Sequence, residues 1–121
     1  MKKILIVEDD TILLSTLADN LTQAGFEVIR ALDGEEGLAF ALEKKPDLIL
    51  LDILLPKMDG ITLLKKLRQD AWGKSVSVII LTNLSSPKDI AEAVEWAEDY
   101  LIKSDWKIED VIARVREKLG K

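Results

Sequence analysis

Short apolar runs alternate with amphipathic segments five times along this chain, and that alternation constrains the fold more than any other feature. The runs are Ile4-Leu5-Ile6-Val7, Glu27 to Ala31, Asp47 to Leu51, Val76 to Leu81 and Tyr100-Leu101-Ile102. A short continuous apolar run is the pattern of a strand covered on both faces. The second run is more polar, which suits a sheet edge. Between the runs, apolar residues recur at helical spacing. Leu14, Leu17, Leu21 and Ala24 form the stripe of a helix from about Thr11 to Ala24, with Gly25 as its C-terminal cap. Asp33-Gly34-Glu35-Glu36 supplies an N-cap and an acid at the third helical position, opening a helix to about Lys44. Asp59-Gly60 opens a third helix, through about Gln69. Ser86-Pro87-Lys88-Asp89 starts a fourth, ending near Trp96. Ile108, Val111, Ile112, Val115 and Leu119 mark the last.

Strands alternating with helices imply a parallel sheet with helices on both faces. Right-handed crossovers leave few arrangements for five such units. The expected fold is α/β: a flavodoxin-like (βα)5 doubly wound sheet of five parallel strands, in the order 2-1-3-4-5. The 121 residues suit one compact domain, residues 1–121, with no linker or repeat inside it. No stretch reaches the roughly eighteen apolar residues of a transmembrane helix. Met1-Lys2-Lys3 and the run after it resemble the start of a signal peptide, but Glu8-Asp9-Asp10 ends the run at once. No membrane association and a cytoplasmic location are therefore expected.

Composition narrows the chemistry. The chain has no cysteine and no histidine. Disulfides, thiolate catalysis and imidazole general bases are excluded, and any chemistry falls to carboxylates, hydroxyls, lysine or an added ion. The net charge of −5 argues against direct binding of nucleic acid.

The polar residues that follow the strands are the informative ones. Glu8 and Asp9 follow the first, Asp52 the third, Thr82 the fourth and Lys103 the fifth. In such a sheet the functional crevice lies past the carboxyl ends of the strands, where strand order reverses, here between the first and third. Three carboxylates meeting there repel one another unless a cation sits among them. A hard divalent ion with oxygen ligands, Mg²⁺, fits best. Each residue has a plainer role available: Asp10 or its neighbours as a helix cap, Asp52 as a loop acid, Thr82 as a strand residue, Lys103 as a solvated lysine, Tyr100 as a half-buried sheet aromatic. Together, at matching strand ends, they describe a site for phosphoryl transfer. Asp52 can form an acyl phosphate, and Mg²⁺ and Lys103 would neutralise the transferred oxygens while the Thr82 hydroxyl bonds another.

The stretches "ILIVEDD" (4–10), "PDLILLDILLPKMDG" (46–60), "VIILTN" (78–83) and "DYLIK" (99–103) resemble, in order, the receiver domain of two-component response regulators. The resemblance implies a phosphorelay signalling protein rather than an enzyme with a separate substrate. It implies a metal set of Glu8, Asp9 and Asp52, the phosphoacceptor at Asp52, a conserved hydroxyl at Thr82, a switch pair of Thr82 and Tyr100, and an essential lysine at Lys103. A histidine kinase or phosphotransfer protein would supply the phosphoryl group. The face made by the fourth helix, fifth strand and last helix would respond, acting on a downstream protein target or an output domain, or through a phosphorylation-linked homodimer. On that face Lys88, Arg114, Arg116, Glu92 and Asp99 are read first as solvated charges, and otherwise as intersubunit ion pairs.

Some positions depart from the family pattern. Asn83 stands where a small residue is usual, Ser104 where proline is usual, and Trp96 where glycine often precedes the fifth strand. The resemblance also makes Leu54 and Leu84 two positions that tune acyl-phosphate hydrolysis. Leucines there exclude water and predict a long-lived phosphorylated state. Three alternatives stand beside this reading. One is a degenerate receiver acting as a non-phosphorylated binding module. Another is a flavin-binding protein, which lacks a phosphate cradle here. The third is an aspartate phosphohydrolase, which lacks its second acid because position 54 is leucine.

Overall fold

A computed structural model of the chain describes residues 1–82, 87–97, 99–102 and 107–120. Five strands, β1 (Lys3–Val7), β2 (Glu27–Ala31), β3 (Leu48–Leu51), β4 (Ser77–Thr82) and β5 (Asp99–Ile102), alternate with five helices. The helices are α1 (Thr11–Gln23), α2 (Gly34–Lys44), α3 (Gly60–Gln69), α4 (Pro87–Val94) and α5 (Ile108–Leu119). All strand pairs are parallel, in the order β2-β1-β3-β4-β5. The expected architecture is the observed one, with the more polar second strand at an edge. Element ends differ by a residue or two from the sequence reading, the usual fraying of boundaries.

Two apolar layers hold the sheet. Leu5, Val7, Ile49, Leu51, Val78 and Ile80 point to one face and pack with Ala41 of α2, Leu63, Leu64 and Leu67 of α3 and Ala93 of α4. Ile4, Ile6, Leu48, Leu50, Ile79 and Leu81 point to the other, against Leu14, Leu17 and Leu21 of α1 and Val111 and Val115 of α5. β3 lies at the centre and all four of its side chains are buried. Burying each such side chain contributes about 1.5–3 kcal/mol of transfer free energy. That is why a strand of unbroken leucine and isoleucine belongs in the middle.

The helix starts are capped as the sequence suggested. Asp10 accepts from the N–H groups of Ile12 and Leu13, and Asp33 from that of Glu36. Glu36 reaches back one residue further than a capping box requires, accepting from the Leu32 N–H at 2.9 Å. Gly25 follows the end of α1 at φ +98°, a conformation that costs glycine little. Ser86, expected as the cap of α4, lies outside the described residues.

The turn before β5 accommodates Trp96 without the left-handed backbone that would favour glycine. Its N–H and that of Ala97 both bond the Ala93 carbonyl, at 3.1 and 3.0 Å, and the only described non-glycine residues at positive φ are Lys45 and Lys57. The indole packs against the α2-α3-α4 layer. Tyr100, expected half-buried, is 39% exposed. It sits on an edge strand whose next residue, Leu101, packs into the opposite layer.

Candidate functional site

Strand register builds the site. Val7 pairs with Leu51, so the next residues, Glu8 and Asp52, leave the sheet side by side. The Asp52 N–H bonds the Val7 carbonyl at 3.0 Å, and the Glu8 N–H bonds Ala31 at 3.0 Å. Both backbones are thus held one residue beyond the ladder. This is the point at which strand order reverses, where the sheet opens a crevice.

Glu8 and Asp52 are buried, at 2% and 6% exposure, and Asp9 is exposed beside them. One carboxylate oxygen from each of the three lies within 4.8 Å of the others. Glu8 Oε2 accepts from the Asp10 N–H at 3.1 Å, and Asp52 Oδ1 from the Leu54 N–H at 3.2 Å. These bonds orient the acids. Two buried carboxylates this close are costly without a compensating cation. Three hard oxygen donors converging from two strand ends suit a small divalent cation that keeps part of its water shell.

α3 starts close behind the acid. The Gly60 N–H bonds the Ile53 carbonyl at 2.8 Å. A methyl built on Gly60 would overlap the Asp52 carbonyl oxygen and lie 2.7 Å from Ile53 Cα. Only glycine permits this approach, and Asp59 caps the helix by accepting from the Thr62 N–H at 2.9 Å. Leu54 is 57% exposed at the rim. With Ile53, Asp59, Ile61, Thr62, Lys65 and Glu92 it lines a shallow groove of about 350 Å³ formed by the loop after Asp52, α3 and α4.

Of the expected site, the structure brings together Glu8, Asp9 and Asp52. The Thr82 backbone closes β4 one residue beyond Leu81, which continues the register level with Asp52, and Thr82 pairs with Ile102. The Thr82 hydroxyl lies outside what is described, as do Lys103, Asn83, Leu84 and Ser104. On the α4-β5-α5 face two of the expected surface acids are paired within the chain. Asp99 binds Arg114, with Lys118 at 3.8 Å, and Glu92 binds Lys65 at 3.1 Å. β5 lies beside α5, and α3 beside α4, so the partners come from neighbouring elements. No role at the site was expected for Lys57, which lies in the loop after Asp52, or for Gly34, which touches that loop. A lysine and a glycine in turns carry no local signal of that contact.

A five-stranded doubly wound sheet with an acidic triad at its switch point defines a class: a receiver-type signalling domain. The family model for the response regulator receiver domain matches residues 4–116. The chain is 40% identical over 117 residues to the DNA-binding dual master transcriptional regulator RpaA of Synechocystis sp., covering 96% of this chain and 48% of that protein. It is 41% identical over 116 residues to the alkaline phosphatase synthesis transcriptional regulatory protein PhoP of Bacillus subtilis, covering 95% and 47%. It therefore spans about half the length of these curated relatives. A CheY-like response regulator receiver domain from Methanospirillum hungatei superposes with a TM-score of 0.92 at 32% identity, covering 99% of this chain and 94% of that one. The chain belongs to the response regulator receiver domain family of two-component signalling.

Proposed function

We propose that this chain is a phosphorylation-dependent signalling switch in which Asp52 accepts a phosphoryl group. The observation that carries the reading is the convergence of Glu8, Asp9 and Asp52 at the switch point. Glu8, Asp9 and Asp52 would hold Mg²⁺, whose chemistry is to neutralise charge on the transferring phosphoryl oxygens. An Asp52 carboxylate oxygen attacks phosphorus, and the bond from phosphorus to the donor's imidazole nitrogen breaks. The imidazole leaves neutral once it has kept or regained its proton. A histidine kinase or phosphotransfer protein supplies the donor. Lys103 pairs with a phosphoryl oxygen, the Thr82 hydroxyl donates to another, and Tyr100 follows Thr82 as the α4-β5-α5 face changes. The exposed Tyr100 side chain suits a residue that must move. Later attack by water on phosphorus releases phosphate and restores the carboxylate.

The output is a change of binding on that face, read by a separate protein, by an output domain or by a second copy of the chain. No described helix is long and apolar enough to cross a membrane. We place the reaction in the cytoplasm, where kinases of this kind present their phosphohistidine. The complete acidic set supports phosphorylation over a degenerate binding module.

Titration with Mg²⁺ and beryllofluoride, a phosphoryl mimic, tests the reading. Saturable, Mg²⁺-dependent protection of amides around residues 52–60 and on α4-β5-α5 is expected. No response at either place, with the protein folded, would contradict it.

A further inference from the structure

We propose that the N-terminus of α2 is a positioning device for the loop after Asp52, and that its seat on residues 56–58 sets how tightly the acidic cluster binds a divalent cation. The cation half of this rests on the function proposed above.

Asp52 leads into a loop that ends at Gly60. In its middle, Pro56-Lys57-Met58 form a γ-turn: the Met58 N–H bonds the Pro56 carbonyl at 2.7 Å, and Lys57 has φ +68°. A γ-turn with positive φ at its centre is the rarer and strained hand. A lysine held there needs support from its surroundings.

α2 supplies that support. The Gly34 N–H, left without a helical partner at the first turn, donates to the same Pro56 carbonyl at 3.3 Å. A methyl built on Gly34 would overlap the Met58 carbonyl oxygen and lie 2.6 Å from its carbon. Backbone meets backbone here, so no flexible side chain can yield. Lys57 Nζ lies 3.6 Å from Asp33 Oδ2, while Asp33 Oδ1 caps α2 by accepting from the Glu36 N–H at 2.8 Å. Lys57 is 62% exposed, so this ion pair is the weaker tie and the approach at Gly34 the stronger.

The same helix face also touches the other half of the cluster. One turn on, a methyl built on Gly37 would lie 2.8 Å from Val7 Cγ1. Val7 immediately precedes Glu8. α2 therefore rests at one point on the strand end that carries Glu8 and Asp9, and at another on the turn that follows Asp52. It fixes the two halves relative to each other. A small cation that demands near-ideal octahedral geometry at about 2.0–2.1 Å is sensitive to that spacing. Gly34, Asp33 and Lys57 are positioning residues; none is a ligand.

The test compares Gly34→Ala with Gly25→Ala. Gly25 also occupies a required conformation, at φ +98°, but a methyl built there meets nothing within 4 Å. Its substitution costs stability without touching the loop. Amide exchange on the metal-free proteins is read first, corrected for each variant's global stability. Residues 52–60 should exchange faster in Gly34→Ala and as wild type in Gly25→Ala. Mg²⁺ affinity by titration calorimetry is read second. Gly34→Ala should bind about tenfold more weakly, the scale seen when residues supporting metal ligands are lost, and Gly25→Ala as wild type. Wild-type exchange together with wild-type affinity in Gly34→Ala overturns the proposal. If Gly34→Ala does not fold, Gly37→Ala, whose methyl would press against the Val7 side chain and lift α2 from its seat on residues 56–58, decides by the same two readouts. Wild-type protein that binds no Mg²⁺ refutes the functional reading and the cation half of this one. The exchange comparison still decides the brace.

Discussion

At the scale of single residues, the site is a charge problem. Glu8, Asp9 and Asp52 gather their oxygens in one place, two of them out of water. Without a cation each destabilises the others. Asp9→Asn should therefore raise the stability of the metal-free protein by roughly 0.5–1 kcal/mol, the scale of one partly screened repulsion. It should also abolish most of the stabilisation that Mg²⁺ gives wild type through binding the folded state. Thermal melts with and without Mg²⁺ check both signs. Leu54 stands at the rim with its side chain out and its N–H on Asp52 Oδ1. An apolar side chain there cannot orient a hydrolytic water, so the acyl phosphate should persist. Leu84→Glu should shorten its lifetime in a phosphate-release time course; an unchanged or slower rate counts against the idea. The acids were legible in sequence because each directly follows a recognisable strand. Gly34 and Lys57 were not, because their roles exist only where α2 meets a loop more than twenty residues away.

At the scale of elements, α3 ties the loop after Asp52 to α4. Arg68 Nε donates to the Trp96 carbonyl at 2.9 Å, and its Nη1 to those of Gly73 and Val76 at 2.8 Å each. One guanidinium thus joins the end of α3, the approach to β4 and the turn after α4. Lys65 adds its pair with Glu92 and sits 6.0 Å from the Trp96 ring centre. These ties differ in weight. Arg68→Leu leaves three carbonyls without their donor and should cost about 2–4 kcal/mol in urea unfolding. Glu92→Gln removes one side of a half-exposed pair and should cost no more than about 1 kcal/mol. In the core, Leu50→Ala removes a fully buried side chain of the central strand and should cost about 2–5 kcal/mol. Apolar runs and the stripes of α1 and α5 were legible because burial imposes those patterns directly, and helix-start signals located α2, α3 and α4. The Arg68 bonds left no trace in the pattern, since an arginine near a helix C-terminus is ordinary there. Tyr100, at 39% exposure, is the half-buried sheet aromatic the sequence suggested.

At the scale of the whole molecule, the sheet order makes the function possible. Placing β1 beside β3 opens the crevice, and their register brings Glu8 next to Asp52. β4 and β5 continue from that crevice toward the α4-β5-α5 face, with Thr82 paired to Ile102 on the way. One small domain thereby holds an acidic cluster at one strand junction and, in the function proposed above, a responsive surface at its far edge. In the proposed switch, phosphorylation would shift the balance between two packings. The order was legible from five alternations and the rule of right-handed crossovers. The pairing of Asp99 with Arg114 and of Glu92 with Lys65 was not, because it depends on which helices end up adjacent. The central claim is that Asp52 takes the phosphoryl group. Intact mass after incubation with acetyl phosphate and Mg²⁺ tests it most directly. The account predicts the gain of one phosphoryl group in wild type, no gain without Mg²⁺ and no gain in Asp52→Asn. A wild type that stays unmodified, or an Asp52→Asn protein that gains the same mass at the same rate, would contradict it.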